Sequence, residues 1–213
     1  MIRIIAIFLV RIYAVLFYRH KVYGKQNFIK KGGGIVTPNH SSYLDPPFVG
    51  ISCPSKVHFL ARDTLFNNPF FGALIRRLHT HPVHRGGENV AAMKKVMELV
   101  EEGNKVVIFP EGKRSETGQL QEGQLGVGML VYRLKCPVTP VYVHGTFDAW
   151  GPNRRYPKLR GVRSACVIGT PIDFADINTE NKKEAQKQIV EKIMQSIANL
   201  RDWYLEGAKG TPP

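Results

Sequence analysis

Acidic residues are scarce in this chain: 17 Asp and Glu stand against 30 Lys and Arg, for a formal net charge of +13. A surface that basic draws polyanions such as nucleic acid, phospholipid headgroups, coenzyme A or an acidic carrier protein, and charge alone does not choose among them. Cysteine is scarce as well. Cys53, Cys136 and Cys166 are odd in number, widely spaced and set in apolar context, which argues against a disulfide framework and for reduced cytosolic thiols. None has the spacing of a zinc knuckle. Long apolar runs are missing too: Met1 to Tyr18 is broken by Arg3 and Arg11, so no run there reaches the roughly 20 residues of a spanning helix. A secretory signal fits poorly, because Arg11 interrupts its core and Arg19, His20 and Lys21 follow where a small-residue cleavage site would stand. The Gly-x-Ser-x-Gly elbow of serine hydrolases is absent, and so is the glycine spacing of a nucleotide-binding P-loop.

What is present is ordinary globular material, 43% hydrophobic over 213 residues, enough for one domain with a real core. Residues 1–18 read as a membrane-interfacial helix, with Arg and Lys at headgroup depth and Phe8, Leu9, Phe17 and Tyr18 dipping into the lipid. A core-packing first helix is the other reading of that pattern. Short apolar runs at Ile35–Thr37, Val57–Leu60, Val106–Phe109, Val138–Val143 and Ala165–Ile168 read as buried strands. Between them, Val90, Met93, Met97 and Val100 recur at helical steps within 88–102, and Ile189, Ile193, Ile197, Leu200 and Tyr204 do so within 184–205. The alternation predicts an α/β fold: a mixed, mostly parallel central sheet flanked by helices, with functional loops at the carboxyl ends of the strands. The boundaries follow as 1–18 for the interfacial helix, 19–206 for the main domain and 207–213 for a flexible tail.

Two segments carry chemistry. In Thr37-Pro38-Asn39-His40-Ser41-Ser42-Tyr43-Leu44-Asp45-Pro46 a His and an Asp follow a buried strand with four residues between them. In a regular helix that offset is about 140° of rotation, so pairing the two requires a tight turn leading into a helix, and Asn39, Ser41, Ser42 and Pro46 suit one. A His held by a carboxylate keeps one tautomer and leaves its other nitrogen to take a proton. A helix start with an incidental His is the alternative for this segment alone. In Phe109-Pro110-Glu111-Gly112-Lys113-Arg114-Ser115 a strand runs into a Gly turn with Lys, Arg and Ser, a natural phosphate site or else a charged β-to-α loop.

Together these segments resemble the glycerolipid acyltransferases, whose lysophosphatidate members carry four ordered blocks. Asn39-His40 through Asp45 matches the HxxxxD block, His81-Pro82-Val83-His84-Arg85 the second, Glu111-Gly112-Lys113-Arg114-Ser115 the third and Pro137-Val138-Thr139-Pro140-Val141 the fourth. Ala61 to Phe66, Pro69 and Gly72 are similar as well. Lys113 departs from the family pattern, in which Thr or Gly is common, and residues 150–213 match no block. The resemblance implies that His40 is the general base and that Asp45 orients it, so that a glycerolipid hydroxyl attacks the thioester of acyl-coenzyme A or acyl carrier protein directly. Arg85, Glu111, Gly112, Arg114 and Ser115 would bind the glycerol phosphate, with Glu111 orienting an Arg or a glycerol hydroxyl. Phosphatidate is the implied product. No cofactor or metal is called for, and the implied partners are membrane lipid and the acyl donor rather than nucleic acid. The implied location is the cytoplasmic face of a membrane, held peripherally or monotopically.

Weaker signals fit around this reading. His79, His81 and His84 lack a matched Cys, Asp or Glu set and are read as lining the approach to Arg85 instead of a zinc site. Gly123, Gly126 and Gly128 follow no strand, so they are read as close packing of a helix. Arg76, Arg77 and the basic stretch from Asn153 to Arg163 are assigned to anionic lipid headgroups, with a solvated charged face as the alternative. The rivals to the leading function are the same chemistry on glycerol 3-phosphate, a lysophospholipid or an ornithine-derived lipid, and a non-catalytic membrane-binding protein.

Overall fold

The computed structural model describes residues 2–83, 89–174, 177 and 181–213, with Asn89 by its backbone alone. Among the described residues, seven strands form one sheet: β1 (Lys21–Tyr23), β2 (Gly34–Pro38), β3 (Val57–Arg62), β4 (Thr80–Val83), β5 (Lys105–Val107), β6 (Val138–His144) and β7 (Ala165–Ile168). Their order is β1-β7-β6-β2-β5-β3-β4, parallel throughout except where β6 meets β7. The mixed, mostly parallel α/β architecture read from the sequence is therefore the fold. Strands β2 and β6 are buried on both faces, as expected of a sheet covered by helices on either side.

Alternation along β2 shows the layering. Ile35 and its neighbours Val106, Val138 and Val167 face α4 (Asn89–Glu101), α5 (Leu125–Leu134) and α7 (Lys182–Leu205). Val36, Val107, Val141 and Cys166 face the other way, onto Val49 of α2 (Asp45–Ser52) and Cys53 just beyond its end. The helix period read within 184–205 is the seam of α7, with Ile189, Ile193 and Ile197 fully buried. At Gly128 a Cβ would come within 2.3 Å of the Gln186 carbonyl oxygen, so a side chain there would push α5 off α7. Gly126, by contrast, faces open space, and the close-packing reading fails there.

A further layer lies outside α2. Helix α1 (Ile2–Tyr18) packs Ala14 and Tyr18 against Phe48 and Ile51 of α2, and the short α6 (Thr146–Trp150) joins the same cluster through Ala149. Tyr18 is fully buried against Phe48, with ring centroids 5.7 Å apart, so it anchors α1 to the fold instead of dipping into lipid as expected. The opposite face of α1 is apolar as well: Ile4, Phe8, Val15 and Leu16 are 56–71% exposed. No described helix is long and apolar enough to cross a membrane. Beside α1 stands α3 (Pro69–Arg77), whose Phe70 is 87% exposed. Residues 207–213, expected as a flexible tail, fold back on the β1 edge: the Pro213 carbonyl accepts the Thr170 amide at 2.9 Å, and Pro212 is buried.

Candidate active site

Strand β2 ends at Pro38, and the turn beyond it is locked to β6 by Asn39. Its side-chain amide donates to the Val143 carbonyl at 3.2 Å, and its side-chain oxygen accepts the Val143 amide at 2.7 Å. The backbone then bends so that His40 Nδ1 meets Asp45 Oδ2 at 2.9 Å. The amides of Ser41 and Ser42 donate to that same oxygen at 2.7 Å each, and the Thr146 hydroxyl donates to Oδ1 at 2.6 Å. Asp45 is fully buried and opens α2, with Pro46 behind it in the first turn. The expected turn into a helix is thus what brings the two together. A carboxylate facing Nδ1 makes that nitrogen the N–H, which leaves Nε2 as the acceptor.

The third block closes on His40 from the other side. Glu111 Oε1 accepts the His40 amide at 2.9 Å, and the Ser115 amide donates to the His40 carbonyl at 2.8 Å. The Phe109 ring stacks on the imidazole, centroids 3.9 Å apart and planes 23° from parallel. Backbone, ring face and Nδ1 are all held, while 18% of the side chain stays exposed. Glu111 is buried, and its second oxygen accepts Gln121 Nε2 at 3.1 Å, so the carboxylate ties the His40 loop to the segment after the third block.

Burial pushes the Glu111 carboxyl above its ordinary value, against the pull of its bonds to His40 and Gln121. The folded protein therefore holds that proton more tightly than the unfolded chain, and ionisation of Glu111 opposes folding. Wild type should lose stability relative to Glu111→Gln as pH rises from below the ordinary carboxylate value through the raised one, with a constant difference above it. Urea unfolding of both proteins across that range checks the sign; wild type gaining on the variant as pH rises would refute it.

Arg114 lies with its guanidinium 3.8 Å over the Tyr43 ring, and Tyr43 leans on Trp150 at 5.2 Å. Gly112 makes the exposed turn between Glu111 and Arg114, and Ser115 is buried. His40, Asp45, Glu111, Gly112, Arg114 and Ser115 are thus brought to one end of the sheet. Arg85 and His84 lie outside the described residues. His79 and His81 turn toward each other's neighbour on β3: both stack on His58, and His58 Nδ1 meets His81 Nε2 at 3.0 Å. Burial lowers His58 to about 4. Thr146 and Gln121 carried no signal in the sequence, and the first of them reaches Asp45 from 101 residues away.

A family profile described as Acyltransferase matches residues 19–144, more than half of the chain. The chain belongs to the acyltransferase family. This acyltransferase is 28% identical over 184 residues to the 1-acyl-sn-glycerol-3-phosphate acyltransferase of Bacillus subtilis (strain 168), covering 85% of this chain and 88% of that protein. It is 29% identical over 206 residues to Tafazzin of Drosophila melanogaster, covering 85% of this chain but 54% of that longer protein. Its fold is similar to the crystal structure of the 1-acyl-sn-glycerophosphate acyltransferase PlsC from Thermotoga maritima, with a TM-score of 0.73 and 24% identity over 92% of this chain and 79% of that one. The family match stops at His144, two residues short of Thr146.

Proposed function

We propose that this acyltransferase moves an acyl group from acyl-coenzyme A or acyl carrier protein to the free hydroxyl of lysophosphatidate, giving phosphatidate for phospholipid synthesis. The observation that carries the reading is the His40–Asp45 pair, buried on the carboxylate side and partly exposed on the imidazole side, with a guanidinium held beside the same turn. His40 Nε2 takes the hydroxyl proton as the oxygen bonds to the thioester carbonyl carbon. The carbon–sulfur bond then breaks, and the proton passes from His40 to the leaving thiolate. No acyl-enzyme is needed. Arg114, with its flat face on Tyr43, keeps its N–H edges for the acceptor phosphate, and Arg85, Gly112 and Ser115 complete that site.

The test is transfer of labelled acyl groups from acyl-coenzyme A to lysophosphatidate in detergent micelles. Labelled phosphatidate from wild type, with a raised lysophosphatidate KM in Arg114→Ala, is the expected result. Product on glycerol 3-phosphate, a lysophospholipid or an ornithine-derived lipid instead would reassign the acceptor, and turnover on none would leave a membrane-binding protein.

The exposed apolar face of α1 supports an interfacial role for residues 1–18, beside Phe70 and the Arg76–Arg77 end of α3. Deleting α1 would also strip the buried face that packs on α2, so the sharper test charges the outer face alone. Phe8→Asp with Leu16→Asp should lower partitioning onto anionic vesicles by about tenfold or more, since each side chain gives up apolar burial in lipid. Unchanged partitioning with the fold intact would rule out α1 as the contact.

A further inference from the structure

The basic stretch from Asn153 to Arg163, assigned from sequence to lipid headgroups, forms one side of an open recess in the fold. It leaves α6 at Trp150, folds back where the Lys158 amide donates to the Ala149 carbonyl at 2.8 Å, and buries Val162 in the cluster shared with α1 and α2. Between this loop and the end of β6 lies a recess of about 310 Å³, lined in part by His144, Asp148, Arg154, Lys158 and Arg163. Gly145 permits the close wall: its φ is +75°, and a Cβ there would come within 2.0 Å of the Arg163 carbonyl oxygen. A second recess, about 400 Å³, includes Tyr43, Trp150, Arg154 and Arg155 and so shares Arg154 with the first.

The second recess borders the turn that holds His40, through Tyr43, and the first joins it through the Arg154 that the two share. His144 follows Val143, the residue to which Asn39 is tied, and His40 follows Asn39. Tyr43 carries Arg114 on its ring. Cationic groups therefore continue from Arg114 through Arg155 and Arg154 to Lys158 and Arg163, beyond what one acceptor phosphate engages. The other partner in the reaction is the thioester donor, and coenzyme A holds a diphosphate and a 3′-phosphate at the far end of a flexible arm from its sulfur. A bilayer presents its phosphates as a surface, whereas a recess receives a discrete ligand.

We propose that the recess between β6 and the 153–163 loop binds the nucleotide polyphosphate of coenzyme A, with Arg154, Lys158 and Arg163 on its phosphates and Asp148 on hydrogen-bond donors of the nucleoside. The assignment rests on reading the dyad as acting on an acyl thioester. It is tested in the full chain by comparing kcat/KM for palmitoyl-coenzyme A and palmitoyl-pantetheine, the same thioester without the nucleotide, in wild type and Arg154→Ala/Lys158→Ala/Arg163→Ala. The preference for the coenzyme A donor should fall by about tenfold or more, because each lost contact is charge-assisted. Calorimetric titration with adenosine 3′,5′-bisphosphate, which needs no turnover, should show binding to wild type and at least a tenfold weaker Kd in the variant. An unchanged donor preference overturns the proposal. So does a loss confined to binding of phosphatidylglycerol vesicles, which would return the loop to lipid headgroups, or a loss confined to acyl carrier protein as donor. If wild type turns over no lipid acceptor, the proposed reaction fails, and the bisphosphate titration alone upholds or overturns the recess as a nucleotide site.

Discussion

His40→Ala should make phosphatidate about 10²- to 10⁴-fold more slowly than wild type, the usual worth of a positioned base. The fold should survive, because the loop is held by the Asn39 side chain on the Val143 backbone, by the His40 amide on the Glu111 carboxylate and by the Ser115 amide on the His40 carbonyl, and alanine keeps all three. What the variant loses is the imidazole on Phe109 and one of four donors to Asp45. Rates measured with labelled lysophosphatidate, beside thermal unfolding of the same samples, separate the two effects. Turnover within a few-fold of wild type in a folded His40→Ala protein would sink the base assignment.

Thr146→Val should cut kcat by about tenfold to 100-fold while leaving both KM values near those of wild type. Valine keeps the shape of threonine but leaves Asp45 Oδ1 buried without its donor, a loss on the order of 1–3 kcal/mol. The Ser41 and Ser42 amides still hold Oδ2, so the carboxylate stays in place while the constraint on its rotation is gone. Thr146 is fully buried with its hydroxyl on Asp45, so it would act through the carboxylate, as a positioning residue. Thr146→Ser restores the hydroxyl and should recover most of the rate. If the serine variant is as slow as the valine one, packing rather than the hydrogen bond is what matters at this position.

The sequence made the strands legible because β2, β3, β6 and β7 are short and nearly all apolar, and the long α7 announces itself by period. Helix α6 and strand β1 are five and three residues long, too brief for either pattern to register. Of the site, His40 and Asp45 could be found because they stand close together in sequence and pairing them demands a specific turn. Glu111 was visible only as part of a block, and its partners differ from those expected: the His40 amide and Gln121 take its oxygens. Thr146 was invisible for a geometric reason. Its contact with Asp45 exists only because β6 lies beside β2, and no local spacing encodes a neighbour across two strands. The buried Tyr18 shows the same limit on α1, where both faces are apolar and the sequence does not say which one meets the protein.

The stacking of α1 on α2 has a consequence for where the reaction takes place. Asp45 is the first residue of α2, and α1 grips that helix through Tyr18 on Phe48 and through Arg11, whose guanidinium donates to the Ile51 carbonyl at 3.2 Å. A bilayer resting against the outer face of α1 would therefore stand at a fixed height from the imidazole, set by the thickness of two helices. An acceptor whose tail stays in the membrane would meet the base at one depth, so the length of its headgroup, like a plumb line, would decide which hydroxyl arrives.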